Sequence, residues 1–481
     1  MEMKALFSEI SFNGSLPDGE VSIVTADSRK VVQGAVFVCI KGRGSDGHSF
    51  ARQALADGAI AIVTQENLGL LNEINVEDTR KAYAVLCQSF FGYPSRSLRL
   101  VAVTGTNGKT TVTTLIKEIV EKAGFKAGLI GTIHTEIDSM ELPSKYTTPE
   151  PWDMAALLSR MVAAGCTFAI MEASSQALDQ LRLWGLSFEV GVFTNLTQDH
   201  LDYHITFENY FIAKKSLFAQ VKTAIVNIDD EYGKRLCAEG KAKEYITLSI
   251  KDNSADYTAR DIKLSVGKAA FVMLSGSGIE RIAFPMPGEF SVYNAMSAAA
   301  AAVALGIDSK LAASVLSQSR GVRGRCEVLY DDVFTVLCDF AHTGDAIDKV
   351  LSGISPFVKG KLYVLFGCAG ERDAAKRPLM SAAAAKYADF VILTSDNPRK
   401  ENPYDIIKDT QPTLIENAVP YLVETERRSA VCKALEMLHE KDVLMLCGKG
   451  HEDYQAVDGV TLYLDEHTIV SEWLQKNGYT K

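Results

Sequence analysis

The strongest chemical signal in the sequence is a glycine-rich stretch between an apolar segment and a helical pattern. It reads Gly105-Thr106-Asn107-Gly108-Lys109-Thr110-Thr111. It follows the apolar run Leu98–Val103, which predicts a strand, and it opens the helical pattern Lys109–Ala123. Backbone N–H groups at such a turn point toward a bound anion, and the helix dipole favours negative charge there. The stretch therefore predicts a phosphate-binding loop.

Each residue type in this loop suits one part of a nucleoside triphosphate and its metal ion. Gly105 and Gly108 permit a close approach of the backbone to phosphate oxygens. Lys109 would reach the terminal phosphates, and the Thr110 hydroxyl could coordinate Mg²⁺. The common phosphate-loop pattern has Gly at the position of Val103, so this loop is a variant. A turn that caps a helix and binds no ligand is the alternative, which the Gly-Lys-Thr-Thr sequence disfavours.

Strands alternate with helical patterns along the chain in three blocks, with the limits 1–98, 99–324 and 325–481. This alternation predicts an α/β fold of three domains. We expect a small N-terminal α/β domain, a central mononucleotide-binding domain with the phosphate loop on a mostly parallel sheet, and a C-terminal domain with a dinucleotide-binding-like rhythm. Besides Leu98–Val103, the predicted strands are Val21–Thr25, Ala35–Ile40, Ala59–Val63, Phe168–Met171, Val190–Phe193, Thr223–Asn227, Val333–Cys338, Leu362–Phe366, Phe390–Thr394 and Val443–Leu446. Further helices are predicted over Ser49–Asp57 and around Ala298–Ala302.

The composition excludes several classes of protein. A formal net charge of −10 argues against general nucleic-acid binding. Nine cysteines without a Cys-x-x-Cys pair argue against a disulfide framework and a structural zinc site. No run of about 18 apolar residues predicts a membrane span, and Met1–Ile10 lacks the apolar core of a signal peptide. We expect a cytoplasmic protein, with a monomer as the default state.

Several motifs accompany the phosphate loop in order, and together with it they resemble the Mur ligase family. They are Asp27-Ser28-Arg29, Thr147-Thr148-Pro149-Glu150, Met171-Glu172-Ala173-Ser174-Ser175-Gln176, Arg182, Asn195-Leu196-Thr197-Gln198-Asp199-His200-Leu201-Asp202-Tyr203-His204, Ala213-Lys214, Gly324-Arg325-Cys326-Glu327, Asp339-Phe340-Ala341-His342, Asp396-Asn397-Pro398-Arg399 and Gly448-Lys449-Gly450-His451-Glu452. The loop alone is also similar to that of folylpolyglutamate synthetase, a relative. The ordered set spans the whole chain and most resembles the Mur ligases that add the third amino acid of the cell-wall peptide precursor.

The resemblance implies an ATP-dependent ligase of peptidoglycan synthesis that joins UDP-N-acetylmuramoyl-L-alanyl-D-glutamate to a diamino acid. The γ-phosphate of ATP would convert the substrate carboxylate into an acyl phosphate, which the amine then attacks. The three domains would bind the UDP substrate, ATP and the amino acid, in that order along the chain. A scaffold protein that keeps the fold without catalysis is an alternative from a different class. The residues whose loss would favour a scaffold are all present: Lys109, Glu172, His200 and Lys214.

The resemblance also assigns catalytic and metal-binding roles. The catalytic residues it implies are Lys109, Glu172, His200 and Lys214. The residues it implies as Mg²⁺ ligands are Thr110, Glu172, His200 and Lys214. Lys214 corresponds to a lysine that the family carries as a carbamate formed with CO2. A bare ammonium would repel Mg²⁺, whereas a carbamate is anionic and its oxygens can hold the metal. Lys215 follows directly in the sequence, and the resemblance favours Lys214.

Two further groups of residues map onto substrate contacts of the family. Contacts with ATP are predicted for Gly105, Thr106, Asn107, Gly108, Lys109, Thr110, Thr111, Asn294, Arg325 and Asp339. Contacts with the UDP-muramyl dipeptide are predicted for Ser28, Thr147, Thr148, Ser174, Gln180 and Arg182. Three positions depart from the family pattern, with Gln176 for His, Phe340 for Tyr and Gly344 for Pro. We expect the last two to alter packing and not activity.

A third group is predicted to bind the added amino acid: Arg372, Asp396, Asn397, Pro398, Arg399, Gly448 and Glu452. In the family, Asp-Asn-Pro-Arg accompanies meso-2,6-diaminopimelate, and lysine-adding relatives usually lack this Arg. Arg372 and Arg399 can clamp the distal carboxylate of diaminopimelate, and they would repel the ammonium of lysine. Glu452 and the Gly448 carbonyl could take the distal amine. We expect diaminopimelate, with lysine or lanthionine as the alternatives.

Overall fold

The computed structural model describes residues 1–42 and 44–479, and the chain divides into two compact units. The first unit contains 1–257 and 297–311, and the second contains 258–296 and 312–479. Among the described residues, no helix has both the length and the apolar character that crossing a membrane requires.

The first unit begins with a small parallel sheet. Its strands are β1 (Ile23–Thr25), β2 (Ala35–Val38), β3 (Ala59–Thr64) and β4 (Glu73–Asn75), in that spatial order. The helices of this part are α1 (Met3–Leu6), α2 (Ala51–Ala56) and α3 (Thr79–Phe90), with 3-10 helices at Ser28–Lys30, Gly47–Phe50 and Pro94–Ser97. Apolar residues from α1, α3 and the strands form one buried cluster on this sheet. The three predicted strands are confirmed, whereas β4 and α3 were not predicted.

The second sheet of this unit carries the phosphate loop. Its strands are β5 (Arg99–Thr104), β6 (Ala127–Ile130), β7 (His134–Ile137), β8 (Met140–Pro143), β9 (Phe168–Glu172), β10 (Phe188–Phe193), β11 (Val221–Asn227) and β12 (Glu244–Ser249). They lie in the order β12-β11-β10-β5-β9-β6-β7-β8, parallel from β12 to β6 and antiparallel at β7 and β8. The helices are α4 (Lys109–Lys122), α5 (Pro151–Ala163), α6 (Ser175–Asp179), α7 (Leu201–His204), α8 (Phe207–Ser216) and α9 (Glu231–Glu239).

The strand order places a ligand-binding edge at the middle of this sheet. From β5 the chain moves to β6 on one side, and from β9 it moves to β10 on the other. Ligands of open α/β sheets bind at the carboxyl ends of strands where the order reverses in this way. The strands β5, β9 and β10 are buried almost throughout, as expected for a sheet covered on both faces. Predicted motifs follow each of these three strands.

Two helices each contribute residues to both units, because the units divide at 296/297 and 311/312. They are α10 (Glu289–Ala304) and α11 (Ser309–Gln318). The alanines at 298–302 are fully buried within α10, which confirms the predicted helix.

The second unit is built on a six-stranded sheet. Its strands are β16 (Glu327–Asp331), β17 (Thr335–Asp339), β18 (Leu362–Cys368), β19 (Phe390–Ser395), β20 (Tyr421–Val423) and β21 (Val443–Cys447). The spatial order is β16-β17-β21-β18-β19-β20, with β16 antiparallel and the other five parallel. The helices are α12 (Gly344–Ile354), α13 (Lys376–Ala385), α14 (Pro403–Lys408), α15 (Gln411–Glu416), α16 (Arg427–Glu436) and α17 (Glu466–Lys476). The four predicted strands are confirmed as β17, β18, β19 and β21.

Five strands of the described residues remain, and four of them pair into two antiparallel hairpins. They are β13 (Tyr257–Leu264), β14 (Ala269–Ser275) and β15 (Gly278–Phe284), of which β14 and β15 form a hairpin, and the hairpin of β22 (Tyr454–Val457) and β23 (Val460–Tyr463). The α/β class is thus as predicted, with three sheets that are mostly parallel. The predicted limits between domains, at 98/99 and 324/325, stay predictions.

Candidate active site

The phosphate loop has a backbone that only its two glycines allow. Gly105 has φ +151°, and a Cβ there would lie 1.9 Å from the Thr194 hydroxyl oxygen. Gly108 caps the N-terminus of α4 with φ +86°. Positive φ is costly for residues with a side chain. Both positions therefore need Gly, in agreement with a loop whose backbone is exposed to a ligand.

The end of strand β10 holds this loop in place. The amide of Thr106 donates to the Asn195 carbonyl at 2.9 Å, and that of Asn107 donates to Asn195 Oδ1 at 3.0 Å. The Thr194 hydroxyl donates to the Asn107 carbonyl at 2.6 Å. The amide of Thr197 donates to the Thr106 hydroxyl at 2.9 Å. The Asn-Leu-Thr motif therefore holds the loop in this shape.

Two lysines meet at one carbonyl group of the loop. Lys109 Nζ donates to the carbonyls of Gly105 and Thr106 at 3.0 and 2.9 Å, and Lys214 Nζ donates to Gly105 at 2.7 Å. Lys214 is 1% exposed. Burial and the charge of Lys109 lower the pKa of Lys214 well below its usual range, and Asp199 opposes them. Burial and the neighbouring charge therefore both disfavour the ammonium form of Lys214.

The neighbouring lysine has a different environment. Lys215 Nζ lies 2.8 Å from the carboxylate of Glu239, and its side chain is 27% exposed. Of the two adjacent lysines, the structure brings Lys214 to the phosphate loop and leaves Lys215 in a partly exposed ion pair.

Tyr210 links these parts and was missed by the sequence analysis. It is 1% exposed, and its hydroxyl lies 3.1 Å from that of Thr106. Lys214 Nζ lies 4.6 Å from the centre of its ring, and the His204 ring stacks on it at 4.9 Å. His204 Nε2 lies 2.9 Å from the Ser175 hydroxyl. A tyrosine one helical turn before Lys214 is the signal that could have identified it.

Glu172 is the last residue of β9 and is 1% exposed, so it is not the surface acid that is common after a strand. Its carboxylate accepts from the Thr132 amide at 2.8 Å and from the Thr132 hydroxyl at 3.1 Å. The Thr132 hydroxyl also lies 3.0 Å from that of Thr147. A Cβ at Gly131 would lie 2.7 Å from Glu172 Oε1. Gly131 and Thr132, which were not predicted, hold a candidate metal ligand beside a candidate substrate contact.

The predicted contacts with the UDP-muramyl dipeptide form one network around Thr148. Its hydroxyl donates to the Glu172 carbonyl at 2.7 Å and accepts from the Ser174 amide at 3.0 Å. Arg182 donates to the Thr148 carbonyl at 2.9 Å and to Gln180 Oε1 at 2.7 Å. The same guanidinium pairs with Glu150 at 2.8 Å. These side chains therefore connect to the strand that ends in the candidate metal ligand.

Ser28 and His200 are two further predicted residues of this unit. Ser28 begins a 3-10 helix of the N-terminal sheet, where the Asp27 side chain caps the Arg29 amide. Local capping thus accounts for the Asp-Ser-Arg motif, and the substrate role of Ser28 stays a prediction. His200 has φ +51°, keeps 44% of its side chain exposed and lies 3.6 Å from Asp199.

The remaining ATP candidates, Asn294, Arg325 and Asp339, belong to the second unit. Asp339 ends β17, is 8% exposed and accepts from the Cys326 amide at 2.7 Å. Burial raises the pKa of Asp339, and the Arg325 charge opposes this. The Arg325 guanidinium lies over the Phe340 ring at 5.2 Å. Asn294 is 7% exposed in α10.

The departures at 340 and 344 have structural counterparts. The Phe340 ring packs against those of His342 and His451 at 4.6 and 4.7 Å. A Cβ at Gly344 would lie 2.8 Å from the Leu379 carbonyl oxygen, so α12 and α13 approach closely there. Both positions are closely packed, and the expectation that these two departures leave activity unchanged stays a prediction.

The predicted amino-acid site lies at the carboxyl ends of β19 and β21. Asp396 and Asn397 are each 6% exposed, and Asn397 Nδ2 donates to Glu452 Oε2 at 3.1 Å. Arg399 has φ +53°, and its guanidinium donates to the Gly370 carbonyl at 2.6 Å. Arg372 lies two residues further along that loop and is exposed. The structure therefore brings the loops of both predicted clamp arginines together.

Comparison with known proteins accounts for nearly the whole chain. The model for the Mur ligase family, catalytic domain, matches residues 20–90, the Mur ligase middle domain matches 103–302, and the Mur ligase, glutamate ligase domain, matches 324–450. A protein of Clostridium acetobutylicum named UDP-N-acetylmuramoyl-L-alanyl-D-glutamate--2,6-diaminopimelate ligase 1 is 40% identical over 485 residues, covering 99% of this chain and 100% of the relative. The chain belongs to the Mur ligase family.

Other Mur ligases agree with this assignment. A Clostridioides difficile protein with the same diaminopimelate ligase name is 40% identical over 463 residues, covering 95% of this chain and 96% of the relative. A solved structure of a ligase of that name has a TM-score of 0.75 at 33% identity and covers 100% of both chains, which confirms the predicted three-domain architecture. Folylpolyglutamate synthase of Mycobacterium tuberculosis shares the fold alone, with a TM-score of 0.60 at 17% identity, over 77% of this chain and 92% of that one.

Proposed function

We propose that this chain adds meso-2,6-diaminopimelate to UDP-N-acetylmuramoyl-L-alanyl-D-glutamate, with ATP cleaved to ADP and phosphate. The observation that carries the proposal is that the phosphate loop and the predicted substrate contacts meet at the adjoining ends of β5 and β9. The Thr104 hydroxyl at the end of β5 donates to the Ala173 carbonyl just after β9, the Thr148 hydroxyl donates to the Glu172 carbonyl, and Arg182 donates to the Thr148 carbonyl. Full-length relatives at 40% identity, named as diaminopimelate ligases, support the same reaction.

The chemistry requires activation of a carboxylate. An oxygen of the substrate carboxylate attacks the γ-phosphorus of ATP, the bond to the β-γ bridging oxygen breaks, and ADP leaves. The amine of the diamino acid then attacks the carbonyl carbon of the acyl phosphate, loses a proton and expels phosphate. Lys109 and the loop amides would neutralise charge on the transferring phosphoryl group. Arg182 would hold the anionic substrate, exchanging its pairing with Glu150 for the substrate anion.

The residues present fit Mg²⁺. The Glu172 carboxylate is buried and oriented by Thr132, and the Thr110 hydroxyl is at the first turn of α4, so both supply the hard oxygen donors that this ion prefers. When bound, Mg²⁺ would supply charge neutralisation for the phosphates. His200 belongs to the same proposed set.

A carbamate on Lys214 is part of the proposal. A neutral amine is the form that attacks CO2, and the buried Lys214 side chain bonds to a carbonyl and has no carboxylate within ion-pair distance among the described residues. The attack forms an N–C bond and releases a proton, which leaves an anionic group beside the loop. This group would supply the oxygen donor that an ammonium lacks.

The preference for diaminopimelate is proposed to come from Arg399 and Arg372. The Arg399 guanidinium donates to the Gly370 carbonyl in this structure. A ligand carboxylate can take the place of that carbonyl and would give the guanidinium a charged partner. Lanthionine would present similar groups, whereas lysine lacks the distal carboxylate. A monomer in the cytoplasm, where ATP is available, completes the proposal.

The test is phosphate release with ATP, Mg²⁺ and UDP-N-acetylmuramoyl-L-alanyl-D-glutamate, comparing meso-diaminopimelate, lanthionine and L-lysine. We expect turnover with both diacids and little with lysine. R399M should lose the advantage of the diacids, whereas R428M, which removes a surface ion pair with Glu472 in the same unit, should behave as the wild type. Preference for lysine would overturn the arginine clamp, and absence of turnover with every amine would overturn the proposed function.

A further inference from the structure

We infer that Lys449 is a positioning residue of the amino-acid site, where its ammonium group fixes the Asn397 amide and orients the Glu452 carboxylate toward the distal amine of the incoming diamino acid. The inference rests on the proposed function. The whole motif Gly448-Lys449-Gly450-His451-Glu452 resembles the family, but contacts with the amino acid are predicted only for Gly448 and Glu452, and Lys449 carries no predicted role.

Lys449 is buried among groups of the predicted site. Its side chain is fully buried, and Nζ lies 2.8 Å from Glu452 Oε2, 2.8 Å from Asn397 Oδ1 and 3.9 Å from Asp396 Oδ1. A buried ammonium is tolerated only when such partners compensate its lost hydration. The partners come from two chain segments, 396–399 and 448–452, which Lys449 therefore joins.

Lys449 also sets the orientation of the Asn397 amide. Asn397 Oδ1 accepts from Lys449 Nζ at 2.8 Å and from the Ala456 amide at 2.9 Å, while Nδ2 donates to Glu452 Oε2. A flipped amide would place its NH2 group against the ammonium and the Ala456 N–H. The donors around Oδ1 thus determine which way this side chain faces.

The two oxygens of Glu452 are used differently. Oε2 accepts from both Lys449 and Asn397, at 2.8 and 3.1 Å. Oε1 accepts a longer bond of 3.4 Å from the Tyr454 hydroxyl, and the side chain remains 16% exposed. Oε1 is therefore the oxygen that a ligand ammonium can reach, and Lys449 holds the carboxylate in that orientation.

The charges around Glu452 keep it ionised. Burial raises its pKa, but the Lys449 charge, the hydrogen bonds from Lys449 and Asn397, and His451 outweigh burial, so that the pKa is lowered. Further titratable groups of this cluster are Asp396, which lies 3.9 Å from Lys449, and Tyr454, which donates to Glu452. If the Lys449 charge is removed, burial still raises the pKa of Glu452, so that Glu452 takes up a proton at higher pH than in the wild type.

The experiment compares the wild type with K449Q in steady-state kinetics from about pH 5.5 to about pH 8.5. We expect the KM for meso-diaminopimelate to rise by about tenfold or more, while the KM values for ATP and the UDP substrate stay within about twofold. The acid limb of kcat/KM for diaminopimelate should move to higher pH. A general loss of kcat with an unchanged KM for diaminopimelate would overturn the inference.

Two further variants make the result decisive. K433Q removes a lysine of the same unit that pairs with Glu424 on the surface, and it should match the wild type. E452Q keeps an acceptor for Lys449 and is expected to fold even if K449Q does not. A KM for diaminopimelate within about twofold of the wild type in E452Q would overturn the inference. Absence of turnover by the wild-type protein with any amine would instead overturn the proposed function, and the inference with it.

Discussion

Lys214 and Lys449 are the two most deeply buried lysines of the described residues, and their surroundings are opposite. Lys214 in the first unit is 1% exposed, and the acceptor for its Nζ is the Gly105 carbonyl, beside the charge of Lys109. Lys449 in the second unit is also fully buried, and its Nζ meets the Glu452 carboxylate and the Asn397 amide. Burial is the same in both, and only the partners differ.

The difference shows how one residue type serves two purposes. A buried amine without an anion favours its neutral form, which suits it for chemistry with an electrophile. A buried ammonium with a carboxylate is a fixed charge that organises its neighbours. We therefore propose that Lys214 reacts with CO2 and that Lys449 orients Glu452. Mutations that separate activity from stability test this contrast.

The largest expected effect is the loss of activity in K214M. We expect kcat to fall by about a thousandfold, or about 4 kcal/mol, because the proposed carbamate and its charge are lost. The free energy of unfolding should change by less than about 1 kcal/mol, since Met fills the site without a buried polar group. Phosphate release and urea denaturation measure the two quantities. Retention of activity within about tenfold of the wild type would contradict the role of Lys214.

K449M should show the opposite pattern in stability. We expect the free energy of unfolding to fall by about 3 kcal/mol, because Glu452 and Asn397 lose their buried partner. The measurement is urea denaturation, with K433M as the matched control for removing a surface lysine. If K449M were as stable as K433M, the contrast between the two buried lysines would disappear.

A smaller effect is expected for T132V. This change keeps the amide bond to Glu172 and removes the hydroxyl that bonds to Glu172 and Thr147. We expect kcat/KM to fall by about tenfold, or about 1.4 kcal/mol. T135V is the control, because it removes the hydroxyl of a buried threonine that bonds to Ser144 at 3.3 Å. If T132V and T135V had the same kcat/KM, the Thr132 hydroxyl would have no role in the reaction.

The smallest effect concerns the acid stability that Glu452 contributes. Because the pKa of Glu452 is lowered in the folded protein, its contribution is complete above the pKa of the unfolded chain, about 4.3, and is lost as pH falls through the lowered folded value. E452Q should therefore show a weaker fall in the free energy of unfolding between about pH 5 and about pH 3. Parallel curves for the two proteins would mean that Lys449 does not stabilise the ionised carboxylate.

The predictions from sequence were most accurate where the signal is local and strong. The strand before the phosphate loop and the helix after it were found within one residue of β5 and α4, because apolar runs and glycines act over a few residues. The strand β4 was missed because it has three residues, with one buried between two partly exposed ones. The helix α3 was missed although Asp78 caps the amides of Arg80 and Lys81, a signal that the sequence contains.

By itself, the sequence determined the α/β class, the phosphate loop and the family, because these depend on residue types in order along the chain. Only the tertiary structure decided which of two adjacent lysines reaches the Gly105 carbonyl, since Lys214 and Lys215 differ in the direction in which α8 presents them. It also revealed Thr132, Tyr210 and Lys449, whose partners Glu172, Thr106 and Asn397 lie 40, 104 and 52 residues away in the sequence. Contacts at such separations follow from packing, which no local pattern specifies.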